Sequence, residues 1–185
     1  MSKQQTEMYI KGHIKRVQNW LFHFAIALYN RGVHHDQSKL QSPEIEGWTQ
    51  MDKEPRYPYG TKEYNEKKKR YAWLFEEHYK HNRHHPEYFD TPTKVSFERD
   101  LVDLIEMLCD WLGYRESIRY AEASTLVDQQ CKRYGFSSEI KDLLLNTLKN
   151  YFVDFGLDKK KTKIRGYSKE GDIFEEKKHL IDMEV

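Results

Sequence analysis

Two short polar stretches carry most of the histidines of this chain, interleaved with carboxylates and amides. The first is Val33-His34-His35-Asp36-Gln37-Ser38-Lys39 and the second is His78-Tyr79-Lys80-His81-Asn82-Arg83-His84-His85-Pro86-Glu87. A third stretch, Asp103-Leu104-Ile105-Glu106-Met107-Leu108-Cys109-Asp110, adds three carboxylates at helical spacing. Imidazole and carboxylate are the usual protein ligands of zinc, iron, manganese and their relatives, and a catalytic site commonly keeps one position open for water. The candidate ligands are His13, His35, Asp36, His78, His84, His85, Asp103 and Asp110. A histidine beside an aspartate on one turn offers a nitrogen and an oxygen to the same ion, and a more distant His and Asp complete the set.

Each of these residues also has a plainer reading. Asp36 could cap the segment that follows it. His84-His85-Pro86-Glu87 could be a proline-kinked surface loop, and Asp103 and Glu106 the solvated face of a helix. His23, His34 and His81 read as exposed or packing residues, and Lys39 could be a simple salt-bridge partner. What favours a site is that three separate segments each supply ligand-type groups.

The elements that must position these groups read as helices throughout. Ile14, Val17, Leu21, Phe24, Ala25 and Leu28 recur at three and four, which predicts a first helix over about Lys11 to Arg31, ended by Gly32. Ser42-Pro43 signals the start of a second, short helix running through Trp48. A third is predicted from Thr61 to about Asn82, with His78 and Asn82 one turn apart. Pro86 and Pro92 exclude a regular helix over 83–95, which puts His84, His85 and Glu87 in a loop or helix-end turn. Ser96 can cap a fourth helix, on which Asp103 and Asp110, seven residues apart, face the same way with Glu106 on an adjacent line. A fifth spans roughly Glu116 to Tyr134, closed by Gly135, and a sixth starts at Ser137 or Ser138 and ends before Gly156. The expected fold class is all-α: a single domain of about six helices over 1–156, with a charged tail over 157–185 whose basic part, within 159–169, could dock on a partner.

The order His13, His35-Asp36, then Asp103 or Asp110 resembles the H…HD…D arrangement of the HD superfamily of metal-dependent phosphohydrolases. His78, His84 and His85 occupy the interval in which two-metal members of that superfamily carry extra histidines. A longer resemblance covers about His13 to Phe152. HHDQSKLQSPE, YPYGTKEY, HYKHNRHHPEYF, DLVDLIEMLCDW and RYGFSSEIKDLLLNTL look like the signatures of a family of small phage and bacterial proteins known only as a domain of unknown function. That resemblance implies an all-helical, HD-like fold with shared site residues at His35, Asp36, Ser38, Lys39, Glu44, Asn82, His84, His85, Glu87, Asp103, Glu106 and Asp110. It supplies no activity.

The chemistry expected of such a site is hydrolysis of a phosphate ester on a nucleotide or another small phosphorylated compound, assisted by one or two divalent ions. Manganese, iron, cobalt, nickel and zinc all suit the mixed nitrogen and oxygen ligands. Lys39, Asn82 and Arg83 are the candidate substrate-binding groups, Lys39 and Arg83 through phosphate oxygens. Lys39, Glu87 and Glu106 are the candidate catalytic residues, with Glu87 or Glu106 as general base or as the group that orients a ligand imidazole.

Composition narrows the field. With 185 residues, 31 basic and 30 acidic side chains, the net charge of +1 creates no long-range field for a nucleic-acid backbone, so general nucleic-acid binding is not expected. Aromatic residues make up 14%, which points to a ring-rich core. The two cysteines, Cys109 and Cys131, read as reduced thiols of a cytoplasmic protein, in the host cytoplasm if phage-encoded, and no apolar run predicts a membrane span. The rival expectation is a non-enzymatic, phage-type protein that binds a host factor. The His-rich loops would then form a polar surface, and Trp48, Tyr57, Tyr59, Tyr88 and Phe89 would be its exposed anchors.

Overall fold

The computed structural model describes residues 1–89, 98–114 and 118–152, and among these it contains seven α-helices, two short 3₁₀ turns and no strand. The chain divides into two compact units, 1–110 and 111–185.

In the first unit, α1 (Lys3–His34) opens on a capping box. Ser2 Oγ accepts from the Gln5 amide while the Gln5 side chain accepts from the Ser2 amide. The helix starts earlier than predicted and runs through Gly32, ending at His34, whose ring bonds to the Asn30 carbonyl. One glycine costs a long helix only about 1 kcal/mol, too little to end it here. The 3₁₀ turn Gln37–Leu40 follows, and α2 (Glu44–Asp52) begins just after Pro43.

The predicted helix from Thr61 to Asn82 is two helices, α3 (Lys62–Arg70) and α4 (Ala72–His81). The break falls at Tyr71, whose ring is buried and whose hydroxyl donates to Glu54 at 2.8 Å, while Lys67–Arg70 favour a helix C-terminus at that point. Thr61 is the N-cap of α3, accepting from the Tyr64 amide. Pro86 begins a second 3₁₀ turn, Pro86–Tyr88.

α5 (Leu101–Gly113) is entered through a reciprocal pair, Asp100 Oδ1 accepting from the Asp103 amide and Asp103 Oδ2 accepting from the Asp100 amide. The predicted Ser96 cap lies outside the described residues. Tyr71, Leu74, Phe89, Leu104, Met107 and Leu108 are buried in this unit. α2 and α4 meet closely at Gly47, where an added Cβ would lie 2.7 Å from Leu74 and 2.8 Å from Trp73.

In the second unit α6 (Tyr120–Tyr134) ends at Gly135, in the left-handed region at φ 65°, and α7 (Ser138–Tyr151) starts from the Ser137 cap. The predicted start of the fifth helix near Glu116 lies outside the described residues, as does the tail with Lys159–Arg165. Ala123, Val127, Cys131, Leu144 and Leu148 form the buried face, and Trp111 stacks parallel to Tyr134 with centroids 6.3 Å apart. No helix among the described residues is long and apolar enough to cross a membrane.

Candidate metal centre

The site is built within the first unit by the end of α1, the turn after it, α4 with its following loop, and one face of α5. Asp36 sits in the left-handed region at φ 57°, a conformation that aspartate tolerates better than most residues. Its carboxylate makes no cap to the following turn. Oδ2 accepts from Lys39 Nζ at 2.5 Å, and Oδ1 lies 3.2 Å from His78 Nε2 and 3.5 Å from His84 Nε2.

Two buried carboxylates orient three imidazoles. Glu44, on α2, receives His78 Nδ1 at 2.8 Å and the Trp48 indole at 3.2 Å. The Asn82 amide donates its two protons to Ser38 Oγ, at 2.9 Å, and to the His78 carbonyl, at 2.8 Å. The proton on His78 Nδ1 therefore goes to Glu44, and Nε2 keeps its lone pair. Glu106, on α5, does the same for two rings, with Oε1 3.1 Å from His35 Nδ1 and 3.2 Å from His84 Nδ1. Arg31, from the last turn of α1, lies 3.2 Å from the other Glu106 oxygen. Carboxylate–imidazole pairs of this kind set the tautomer and raise the basicity of ligand nitrogens.

The freed nitrogens converge. Asp36, His78, His84 and His85 each offer an atom within 4.8 Å of the others, and so do His35, Asp36, His84 and Asp110. Metal–nitrogen and metal–oxygen bonds of about 2.0–2.2 Å place opposite ligands roughly 4.2 Å apart, so both groups fit one ion with small adjustments. Asp36 Oδ1 and His84 Nε2 are buried without a hydrogen-bond partner, and His78 Nε2 stands 3.0 Å from His85 Nε2. Buried polar atoms without partners are uncommon, and a cation would satisfy these. The donor set thus fits a metal.

The electrostatics agree with a cluster of strongly interacting groups. Hydrogen bonds to Asp110 and Glu106 raise His35 to about 10, against the lowering effect of burial. Burial, with the charges of His84 and His78, lowers His85 to about 3. Burial pushes Glu106 upward, but hydrogen bonds from His35 and His84 outweigh it and hold the group at about 2. Asp36 is likewise pushed up by burial and held below the ordinary carboxylate range by His78 and Lys39.

Of the predicted ligands, the fold brings together His35, Asp36, His78, His84, His85 and Asp110. It does not bring His13, which is exposed on α1 about 22 residues, or roughly 33 Å of helix, before His35. Nor is Asp103 a ligand here. It is buried and taken up by Arg31 and by a bidentate pair from Arg83, Nε at 3.1 Å and Nη2 at 2.8 Å. Arg83 is therefore spent on Asp103 and on the Glu98 carbonyl rather than aimed at a substrate. Asn82 is buried as a brace for His78 and Ser38, and Glu106 orients imidazoles. The described contacts do not bring Glu87 to the cluster, although its Oε2 is buried without a partner. Of the predicted substrate groups, Lys39 lies against Asp36 through its ammonium, while Asn82 lies against His78 as a brace.

The reading of residues gave Glu44 no role, and the family resemblance alone marked it. Nothing in the sequence marked Arg31.

The fold and the site define an all-helical protein in which buried carboxylates orient a histidine–aspartate cluster suited to a metal ion. A family model described as "Family of unknown function (DUF5662)" matches residues 2–151, and the chain belongs to that family. No curated protein and no solved structure matches the chain.

Proposed function

We propose that this protein is a metal-dependent phosphohydrolase of HD-like type, acting on a nucleotide or other small phosphorylated compound. The observation that carries the reading is the set of imidazoles whose Nδ1 atoms are held by Glu44 and Glu106 and whose Nε2 atoms surround Asp36. The HD likeness rests on the His35-Asp36 doublet and Asp110, with His84 and His85 of the loop after α4 in the same cluster and His13 outside it.

Asp36 and His84 belong to both ligand groups. A neutral imidazole has one lone pair on Nε2, so His84 serves one position at a time, whereas a carboxylate can bridge. His78, His84, His85 and Asp36 would then hold one ion, and His35, Asp36 and Asp110 would hold a second. A divalent ion bound there would supply Lewis acidity toward a water and toward phosphoryl oxygens. In the net reaction water oxygen bonds to phosphorus, the ester oxygen leaves, and the water's proton goes to that oxygen. Lys39 stands beside the reacting region and offers its ammonium to a phosphoryl oxygen in exchange for Asp36. His35 and Asp110, the more exposed members of the cluster, face the side from which a substrate arrives.

The partner-binding alternative draws less support from the structure. Phe89 is buried between Arg83 and Arg99, and Trp48 packs on Phe75 and His78, so of the expected anchors Tyr59 and, less widely, Tyr88 are exposed.

The test is elemental mass spectrometry of protein purified without a histidine tag, beside Asp36→Asn. Asparagine keeps the left-handed backbone and removes the charge. One or two equivalents of a transition metal, lost in the variant, are expected, followed by phosphate release from a panel of phosphorylated compounds. Absence of metal after dialysis against manganese, iron and zinc would overturn the reading.

A further inference from the structure

α1 carries an apolar seam that the rest of its own unit does not bury. Ile10, Ile14, Val17, Leu21, Phe24 and Leu28 are spaced 4, 3, 4, 3 and 4, an unbroken alternation of the a and d positions of a heptad. Such spacing gives the helix one continuous apolar face, of the kind that another helix can cover. Yet Ile10 is 50% exposed, Ile14 48%, Val17 42%, Leu21 64% and Phe24 59%, with Trp20 beside them at 67%. Only the end of the helix is drawn in, with Ile26, Ala27 and Leu28 half-buried and Arg31 bonded to Asp103.

We propose that α1 is a dimerisation helix, its seam occupied by α1 of a second copy of this chain. Three observations point to that occupant. The seam from Ile10 to Leu28 extends over about 28 Å at 1.5 Å per residue. α1 has 32 residues and every other helix among the described residues has 15 or fewer, so of these helices α1 is the one that matches the seam over its full length. The positions flanking the seam are His13, Gln18, Trp20, Ala25 and Ala27 with a single charge at Lys11, so two copies meet without a row of like charges.

The area is also of the right order. Exposed fractions of this size on side chains of roughly 100–250 Å² leave about 500 Å² of apolar surface per copy. That is about 1,000 Å² for a pair, the lower bound of a specific interface. It is also at the upper end of the apolar patch that a monomer ordinarily leaves in water. This proposal does not depend on the metal reading.

Light scattering on the eluting full-length protein tests it. The expected mass is twice the 22.4 kDa of the chain, falling to 22.4 kDa in the Leu21→Lys/Phe24→Lys double variant with helix content unchanged by circular dichroism. Should the double variant aggregate, the milder Val17→Asn decides, with an expected dimer dissociation constant at least about tenfold weaker, since a polar residue at a seam position lowers coiled-coil stability. A wild-type protein that stays monomeric at high micromolar concentration overturns the proposal. If Trp20 in that monomer is shielded from a soluble quencher, the seam is covered by the chain itself. A dimer that survives both variants overturns it equally, because its interface then lies elsewhere.

Discussion

At the scale of single residues, the site depends on where protons sit. Glu44 and Glu106 hold protons on Nδ1 and so leave Nε2 free at His78 and His84, while at His35 the Asp110 carboxylate keeps a second proton on Nε2. Glu44→Gln should therefore weaken metal binding about 10–100-fold while preserving the fold, checked by competition with a chelating dye. In the metal-free protein the same charges set a pH dependence. His35 is raised from 6.5 to about 10, so its contribution is complete below pH 6.5 and is lost as pH rises toward 10. His85 is lowered from 6.5 to about 3, so its contribution is present above pH 6.5 and is lost as pH falls toward 3. Glu106, lowered from 4.5 to about 2, adds a loss below pH 4.5. Thermal stability of the metal-free protein should peak near pH 6.5 and fall on both sides, which melting curves across pH will check. Metal must also displace the His35 proton, so affinity should rise with pH.

At the scale of elements, the packing of α2 on α4 places Glu44 against His78. Gly47 is where these helices touch, and a methyl group there would collide with Leu74 and Trp73. Gly47→Ala should lower stability by about 1–3 kcal/mol, against the small gain the change brings to an open helix, and should weaken metal binding by moving Glu44. Denaturant melts with and without metal separate the two effects. Element type was legible in the sequence from the three-and-four spacing and from caps such as Thr61 and Ser137. The break at Tyr71 was not, because a buried contact with Glu54, distant in sequence, decides it.

At the scale of the molecule, the residues of the proposed metal site belong wholly to the unit over 1–110. Removing metal should therefore reduce hydrogen-exchange protection around 34–39, 78–88 and 103–110 and leave α6 and α7 unchanged, since a ligand stabilises the structure that binds it. Loss of protection throughout α6 and α7 would contradict this assignment.

What the sequence by itself determined is local: helical periodicity, proline breaks and the clustering of imidazole and carboxylate in three segments, and the fold brings six of the eight candidate ligands together. Which groups meet was decided by tertiary structure, because a helix fixes direction along its own axis but not what lies opposite. His13 and His35 share α1 and its end, yet about 33 Å of helix separates them. Asp103 and Asp110 share a face of α5, yet two arginines from other segments claim the first and leave the second to His35. The seam of α1 makes the same point from the other side: its spacing fixes a helix with one apolar face, and what covers that face is not written in the spacing.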